Sequence, residues 1–151
     1  MNTTSENNLA TFTHLSSLSQ YFIPFGNYIF PLLIWNSKKE DSEFIDFNGK
    51  QILNFQLSIL VYTLIIAMIA TPIIIIKFFN TIPLETISYN KEFIFNHLNL
   101  ENFSGTLLFA IIAILILIGL KVAEFFLIIY ASLKTSNGEK YQYPLTILFI
   151  K

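Results

Sequence analysis

The chain has 151 residues, of which 54% are hydrophobic and 13% charged, with a formal net charge of -1 and no cysteine. Globular proteins carry about 25% charged residues, so too few polar groups are present to solvate a soluble domain of this length. The charge balance lacks the clustered basic excess that nucleic-acid phosphates require, and without cysteine there is no disulfide, thiolate nucleophile or cysteine-ligated metal.

Residues 1–10 are polar and contain no lysine or arginine, the first basic residue being Lys38, so no secretory n-region precedes the first apolar stretch. They are expected to form a mobile tail. Residues 11–151 are expected to form one membrane-embedded helical domain, an all-α multi-pass fold with about three spans.

The first span covers about 14–35. Pro24 removes a backbone donor and biases Ile23 away from helical geometry, and Gly26 loosens the same point, so a helix breaks at Pro24-Phe25-Gly26. At 1.5 Å per residue the stretch reaches roughly 30 Å, enough for one crossing as two stacked half-helices. The alternative is a re-entrant hairpin that returns to its starting side, its freed backbone groups finding partners in protein. The polar run from Asn36 to Lys50 reads as a solvated loop, because its carboxylates do not fall at the alternate positions of a calcium loop.

The second span covers about 51–76. Gln51, Asn54, Ser58 and Tyr62 follow at spacings of three, four and four, which aligns them on one helix face. Such a stripe is costly against lipid and is expected to meet a partner or a neighbouring helix, at roughly 1 kcal/mol per hydrogen bond. Gln56 and Thr63 lie on another face, and Pro72 is expected to kink the last turns.

Residues 77–104 form a connection with scattered aromatic residues and His97. Neither His97 nor His14 has an acid at ligand spacing, so both read as interfacial polar residues. The third span covers about 105–133 and is apolar except for Lys121 and Glu124, which are three apart and can meet as an intramembrane ion pair. Asn137-Gly138 stops that helix, Tyr141 and Tyr143 suit the headgroup level, and Ile147–Ile150 lies on the membrane or on the bundle.

With three crossings, Lys38, Lys39, Lys50, Lys134, Lys140 and Lys151 share one side and Lys77 and Lys91 the other. Six against two places the C-terminus in the cytoplasm and the N-terminus outside.

The blocks His14-Leu15-Ser16-Ser17-Leu18 with Tyr21-Phe22-Ile23-Pro24-Phe25-Gly26-Asn27, Phe44-Ile45-Asp46-Phe47-Asn48-Gly49-Lys50, and Tyr143-Pro144-Leu145-Thr146-Ile147 occur in order. Together they resemble an uncharacterised family of small bacterial multi-pass membrane proteins grouped with the Tic-twenty-like proteins. Relatives often carry histidine where this chain has Asn48, which counts against histidine chemistry at that position. The resemblance implies a helical protein of the bacterial cytoplasmic (inner) membrane.

No nucleophile with a base, metal cluster or phosphate-cradling loop can be assembled, so no catalytic, cofactor or metal residue is expected. The expected function is a non-enzymatic integral membrane protein, an accessory or scaffold subunit binding other membrane proteins, with self-association left open. The alternative is a channel or protein-translocation component resembling the chloroplast inner-envelope import protein, by fold analogy alone.

Overall fold

The computed structural model describes residues 3–81 and 100–151, and the side chains of 3–77 and 105–151. Within them the regular elements are α1 (Thr3–Ser16), a 3-10 turn (Ser17–Tyr21), α2 (Gly26–Lys38), α3 (Glu43–Thr81) and α4 (Leu100–Ser136). The protein is an all-α membrane protein. Two of its helices, over Glu43–Lys77 and Gly105–Ser136, are long and apolar enough to cross a bilayer. His97, Pro83 and Lys91 lie outside the described residues. The chain packs as two compact units, one of residues 1–61 with 120–151, the other of 62–119.

The first unit departs most from the sequence expectation. The stretch expected to be a mobile tail is helical from Thr3, with Ala10, Thr13 and His14 on its buried face. Its start is held by Ser42, whose hydroxyl donates to the Glu6 carboxylate at 3.0 Å. After Ser16 the helix tightens into the 3-10 turn, and residues 22–25 reverse the chain, with Phe25 in the left-handed region at φ 61°. The next residue must be glycine: a Cβ at Gly26 would stand 2.5 Å from Ser19 Oγ and 3.0 Å from the Ser19 backbone. α2 then packs back against α1.

The break at Pro24 and Gly26 is therefore a reversal, and segment one is a hairpin. Segment one thus takes the hairpin form that the sequence left open as its alternative, and among the described residues two helices are long and apolar enough to cross. α2 alone has 13 residues, or about 20 Å, short of the roughly 30 Å hydrocarbon core. The hairpin tip is apolar and open, with Phe22 88% exposed.

α2 and α3 meet at a glycine. A Cβ on Gly49 would fall 2.2 Å from Trp35 Cδ1, so the indole sits where any larger residue would have its side chain. The same indole donates from Nε1 to Asp46 Oδ1 at 2.9 Å, and Lys50 pairs with the other carboxylate oxygen at 2.6 Å. Ile52, Phe55 and Ile59 of α3 close the core against Ile128 and Ala131 of α4 and Tyr143 of the C-terminal segment. α4 stops at Asn137-Gly138 as its sequence predicts: Gly138 takes φ 80°, and the amides of Gly138 and Glu139 return to the carbonyls of Thr135 and Lys134 at 2.9 and 3.1 Å.

The second unit holds the rest of α3 and α4. α3 runs through Pro72 as one helix. Ile66, Ile69 and Ala70 face Phe109, Ile112, Ala113 and Ile116 across a narrow apolar cleft. Most other large side chains, among them Met68, Ile76, Leu108 and Leu115, are exposed. Apolar side chains directed outward from a helix pair suit a lipid environment.

Gly49→Ala is expected to destabilise the protein by about 1–3 kcal/mol, because Trp35 must leave its seat. Gly119→Ala, where a Cβ meets nothing within 4 Å, is expected to be neutral or to stabilise by up to about 1 kcal/mol through helix propensity. Thermal unfolding of the two variants in detergent checks the contrast.

Candidate functional site

Three polar clusters lie in the first unit, each built by helical spacing and closed by a segment distant in sequence.

The first surrounds His14. Thr13, His14 and Ser17 follow Ala10 on the inner face of the hairpin, so the imidazole enters the bundle and is fully buried. Its Nε2 faces Asn48 Oδ1 at 3.0 Å and its Nδ1 faces the Tyr143 hydroxyl at 2.9 Å. Asn48 fixes the direction of the bonds: its Nδ2 donates to the Phe44 carbonyl at 2.8 Å, so Oδ1 is the atom turned to the ring. Nε2 therefore carries the proton and donates, while Nδ1 accepts from the tyrosine, which assigns a neutral imidazole. Thr135 Oγ1 stands 3.3 Å from the same Asn48 oxygen and 2.8 Å from the Ala131 carbonyl. Tyr143 stacks on Phe55 with centroids 4.2 Å apart and planes 11° apart.

Burial pushes the His14 imidazole down from 6.5 to about 4, against the opposing effect of the Asn48 hydrogen bond. Burial likewise pushes the Tyr143 phenol well above its ordinary range. The network can hold a neutral imidazole at neutral pH and exclude its charged form.

The second cluster is the stripe on α3. Asn54 Oδ1 accepts from the amides of Phe149 and Ile150 at 3.0 and 2.8 Å, and its Nδ2 donates to the Ile150 carbonyl at 2.9 Å. Ser58 Oγ accepts from the Ile147 amide at 2.8 Å and donates to the Asn54 carbonyl at 2.7 Å. The face expected to meet a partner or a helix is thus occupied by the chain's own C-terminal segment, which has no regular structure and needs its backbone groups satisfied. Gln51 lines a cleft of about 200 Å³ with Gln142, Tyr143, Thr146 and Leu148. Tyr62, one turn past Ser58, is half-buried. Gln56, on the second face, accepts from Asn27 Nδ2 at 2.7 Å.

The third cluster is the Lys121 and Glu124 pair, which closes at 2.8 Å. Glu124 is fully buried and Lys121 is 49% exposed. Gln20, from the hairpin, completes it: its Nε2 donates to Glu124 Oε1 at 2.8 Å and its Oε1 accepts from Lys121 at 3.3 Å.

The sequence reading missed the first of these clusters. It placed His14 among interfacial residues and Tyr143 at the headgroup level, whereas both are buried and bonded to each other across 129 residues. The available signal was that His14, Asn48 and Tyr143 each belong to a different one of the three sequence blocks. Among the described residues no group of three His, Cys, Asp or Glu gathers that could hold a metal ion.

A family model matches residues 5–150, a stretch that contains all three blocks and all three clusters. The chain belongs to MamF/MmsF, the magnetosome magnetite crystal formation protein family. The match is to this family and gives no support to a grouping with the Tic-twenty-like proteins. No curated protein and no solved structure matches the chain. For this MamF/MmsF member, the buried network joins the elements of the first unit, and the exposed surface left to lipid or partners is predominantly apolar.

Two outcomes are expected. Asn54→Ala removes three hydrogen bonds to the tail at a net 0.5–1.5 kcal/mol each, about 3 kcal/mol together, and hydrogen exchange at the Phe149 and Ile150 amides is expected to accelerate accordingly. The second concerns pH. The folded chain holds His14 neutral while the unfolded chain takes up a proton below about 6.5, so stability is full above that pH. It falls as the pH drops toward 4, by about 3 kcal/mol in all. Unfolding midpoints followed across that window are expected to fall more steeply in the wild type than in His14→Gln, which keeps only the slope of the paired carboxylates such as Asp46.

Proposed function

We propose that the chain is a non-enzymatic integral membrane protein, an accessory or scaffold subunit that binds other membrane proteins. The observation that carries this reading is the distribution of polar groups. The buried polar clusters are bonded within the first unit, whereas the long helices turn apolar side chains outward along most of their length. A catalytic site needs a nucleophile, base or ligand set facing a substrate-sized opening, and His14, the strongest candidate, is sealed between Asn48 and Tyr143.

The family description speaks of magnetite crystal formation in magnetosomes. On the reading proposed here, this chain contributes to such a process through contacts in the membrane, by organising the proteins that handle iron or mineral. The lysine count supports placing α1, the turn between α2 and α3, and the C-terminal segment together on the cytoplasmic face of a bacterial inner membrane or a membrane derived from it. His14 and Tyr143 share a hydrogen bond, and Glu6 holds Ser42. These contacts support a reading in which the N-terminus lies on the same side as the C-terminus, in place of the opposite-side arrangement expected for three crossings.

Extraction of native membranes in mild detergent is expected to recover the chain with a defined membrane-protein partner at fixed stoichiometry. Recovery as a lone monomer under every gentle condition contradicts the proposal.

A further inference from the structure

The C-terminal segment contributes one buried side chain to the bundle. Of residues 139–151 only Tyr143 is buried, while Leu145, Leu148 and Phe149 stand open. The rest of its hold on α3 is through backbone, the amides of Ile147, Phe149 and Ile150 resting on Ser58 and Asn54. A cleft of about 200 Å³ between the segment and Gln51 of α3 reaches Tyr143 itself.

The bond from Tyr143 to His14 depends on the charge of the ring. In the neutral ring Nδ1 accepts the phenolic proton while Nε2 donates to Asn48 Oδ1. An imidazolium carries a proton on both nitrogens. Nδ1 then points a proton at the phenolic oxygen, and the proton of that oxygen must turn to another acceptor. Among the described residues His14 is the hydrogen-bond partner of this hydroxyl, and the Phe55 ring stacked on Tyr143 offers it no acceptor. Asn48 cannot adjust instead, because its amide is fixed to the Phe44 carbonyl within α3.

No neighbouring charge stabilises the cation. Burial and the Asn48 bond are the influences on the ring. The ionisable groups on the elements packed around it are engaged elsewhere: Glu6 with Ser42, Asp46 with Lys50, Lys121 with Glu124 and Lys134 with Glu139. Tyr141 stands edge-on to Tyr143. A charged His14 therefore needs water, and the cleft at Tyr143 is the side on which the least structure has to move.

We propose that the bond between Tyr143 and His14 is an acid-sensitive latch: a proton taken from solvent by His14 releases Tyr143, and the C-terminal segment leaves α3 while the helices stay packed. The open form bares Asn54 and Ser58, the α3 side chains that bind backbone. Closed, His14 resists the proton down to about pH 4; open, it titrates near the ordinary value of about 6.5. Between those limits opening becomes up to about tenfold more favourable per pH unit. The latch does not depend on the scaffold reading.

The test is hydrogen exchange of the full chain in detergent from pH 7 to pH 4, read as protection factors so that the intrinsic pH dependence of exchange is removed. The amides of Ile147, Phe149 and Ile150 are expected to lose protection by up to about tenfold per pH unit below about 6.5, while those of Phe55, Ile59 and Ile128 in the helical core keep theirs. In His14→Gln, which has no imidazole to charge, the protection of the three tail amides is expected to be flat across the same window. Loss of protection by tail and core together shows global unfolding without a latch and overturns the proposal. So does a tail that stays equally protected at every pH, or a slope that His14→Gln leaves unchanged. Should His14→Gln not fold, the contrast between tail and core amides in the wild type decides alone.

Discussion

A neutral imidazole can be buried only where one ring nitrogen finds an acceptor and the other a donor, and His14 finds both on different segments. Asn48 comes from the start of α3 and Tyr143 from the C-terminal segment, while Thr135 of α4 stands by the same Asn48 oxygen. One hydrogen-bonded chain thus runs through α1, α3, α4 and the tail. Leaving a member of such a network unpaired in a dry interior costs about 1–3 kcal/mol, so the four segments are held to one arrangement. The arrangement dictates the reversal at residues 22–25. If the chain continued straight past Pro24 across a membrane, the two halves of the hairpin could not pack side by side, as α1 and α2 do.

The other features of the first unit follow from holding these segments close. Trp35 and α3 can approach only because position 49 has no side chain. The C-terminal segment reaches Phe55 through Tyr143 and cannot form a helix or strand of its own there, so the α3 side chains Asn54 and Ser58 act as the partner for its backbone. These polar residues, which look out of place in an apolar helix, complete the folding of an irregular tail. Once they are used, the long helices have little but hydrocarbon to offer outward. That is the physical basis for reading the protein as a membrane component.

Local chemistry was legible in the sequence. Pro24 and Gly26 marked the break, Gly138 the end of α4, the three-and-four spacing of Gln51, Asn54 and Ser58 a single face, and the spacing of Lys121 and Glu124 a pair. Each depends on residues within a few turns of one another. What the sequence could not show was what met those features from afar. Whether the chain after Pro24 continues or turns back depends on His14 finding Asn48 and Tyr143, and no local pattern joins residues 129 apart. The stripe on α3 announced that it needed a partner without announcing that the partner was the tail. The polar composition of residues 1–10 suggested mobility, whereas the structure makes Thr3–Ser16 a helix and ties Glu6 to Ser42. The family match supports the same division: three separated blocks inside one matched stretch meet in one bundle.

The central claim is that His14 and its partners fold the first segment back; on the reading proposed above, α1, the turn between α2 and α3 and the C-terminal segment then share one face of the membrane. The chain has no native cysteine, so single cysteines at Ser5, Glu40 and Asn137 can each be probed alone with a membrane-impermeant thiol reagent, before and after opening sealed vesicles of known orientation. The account predicts that all three label from the same face. Labelling of the Ser5 position from the face opposite to Glu40 and Asn137 would show that the first segment crosses, and would contradict it.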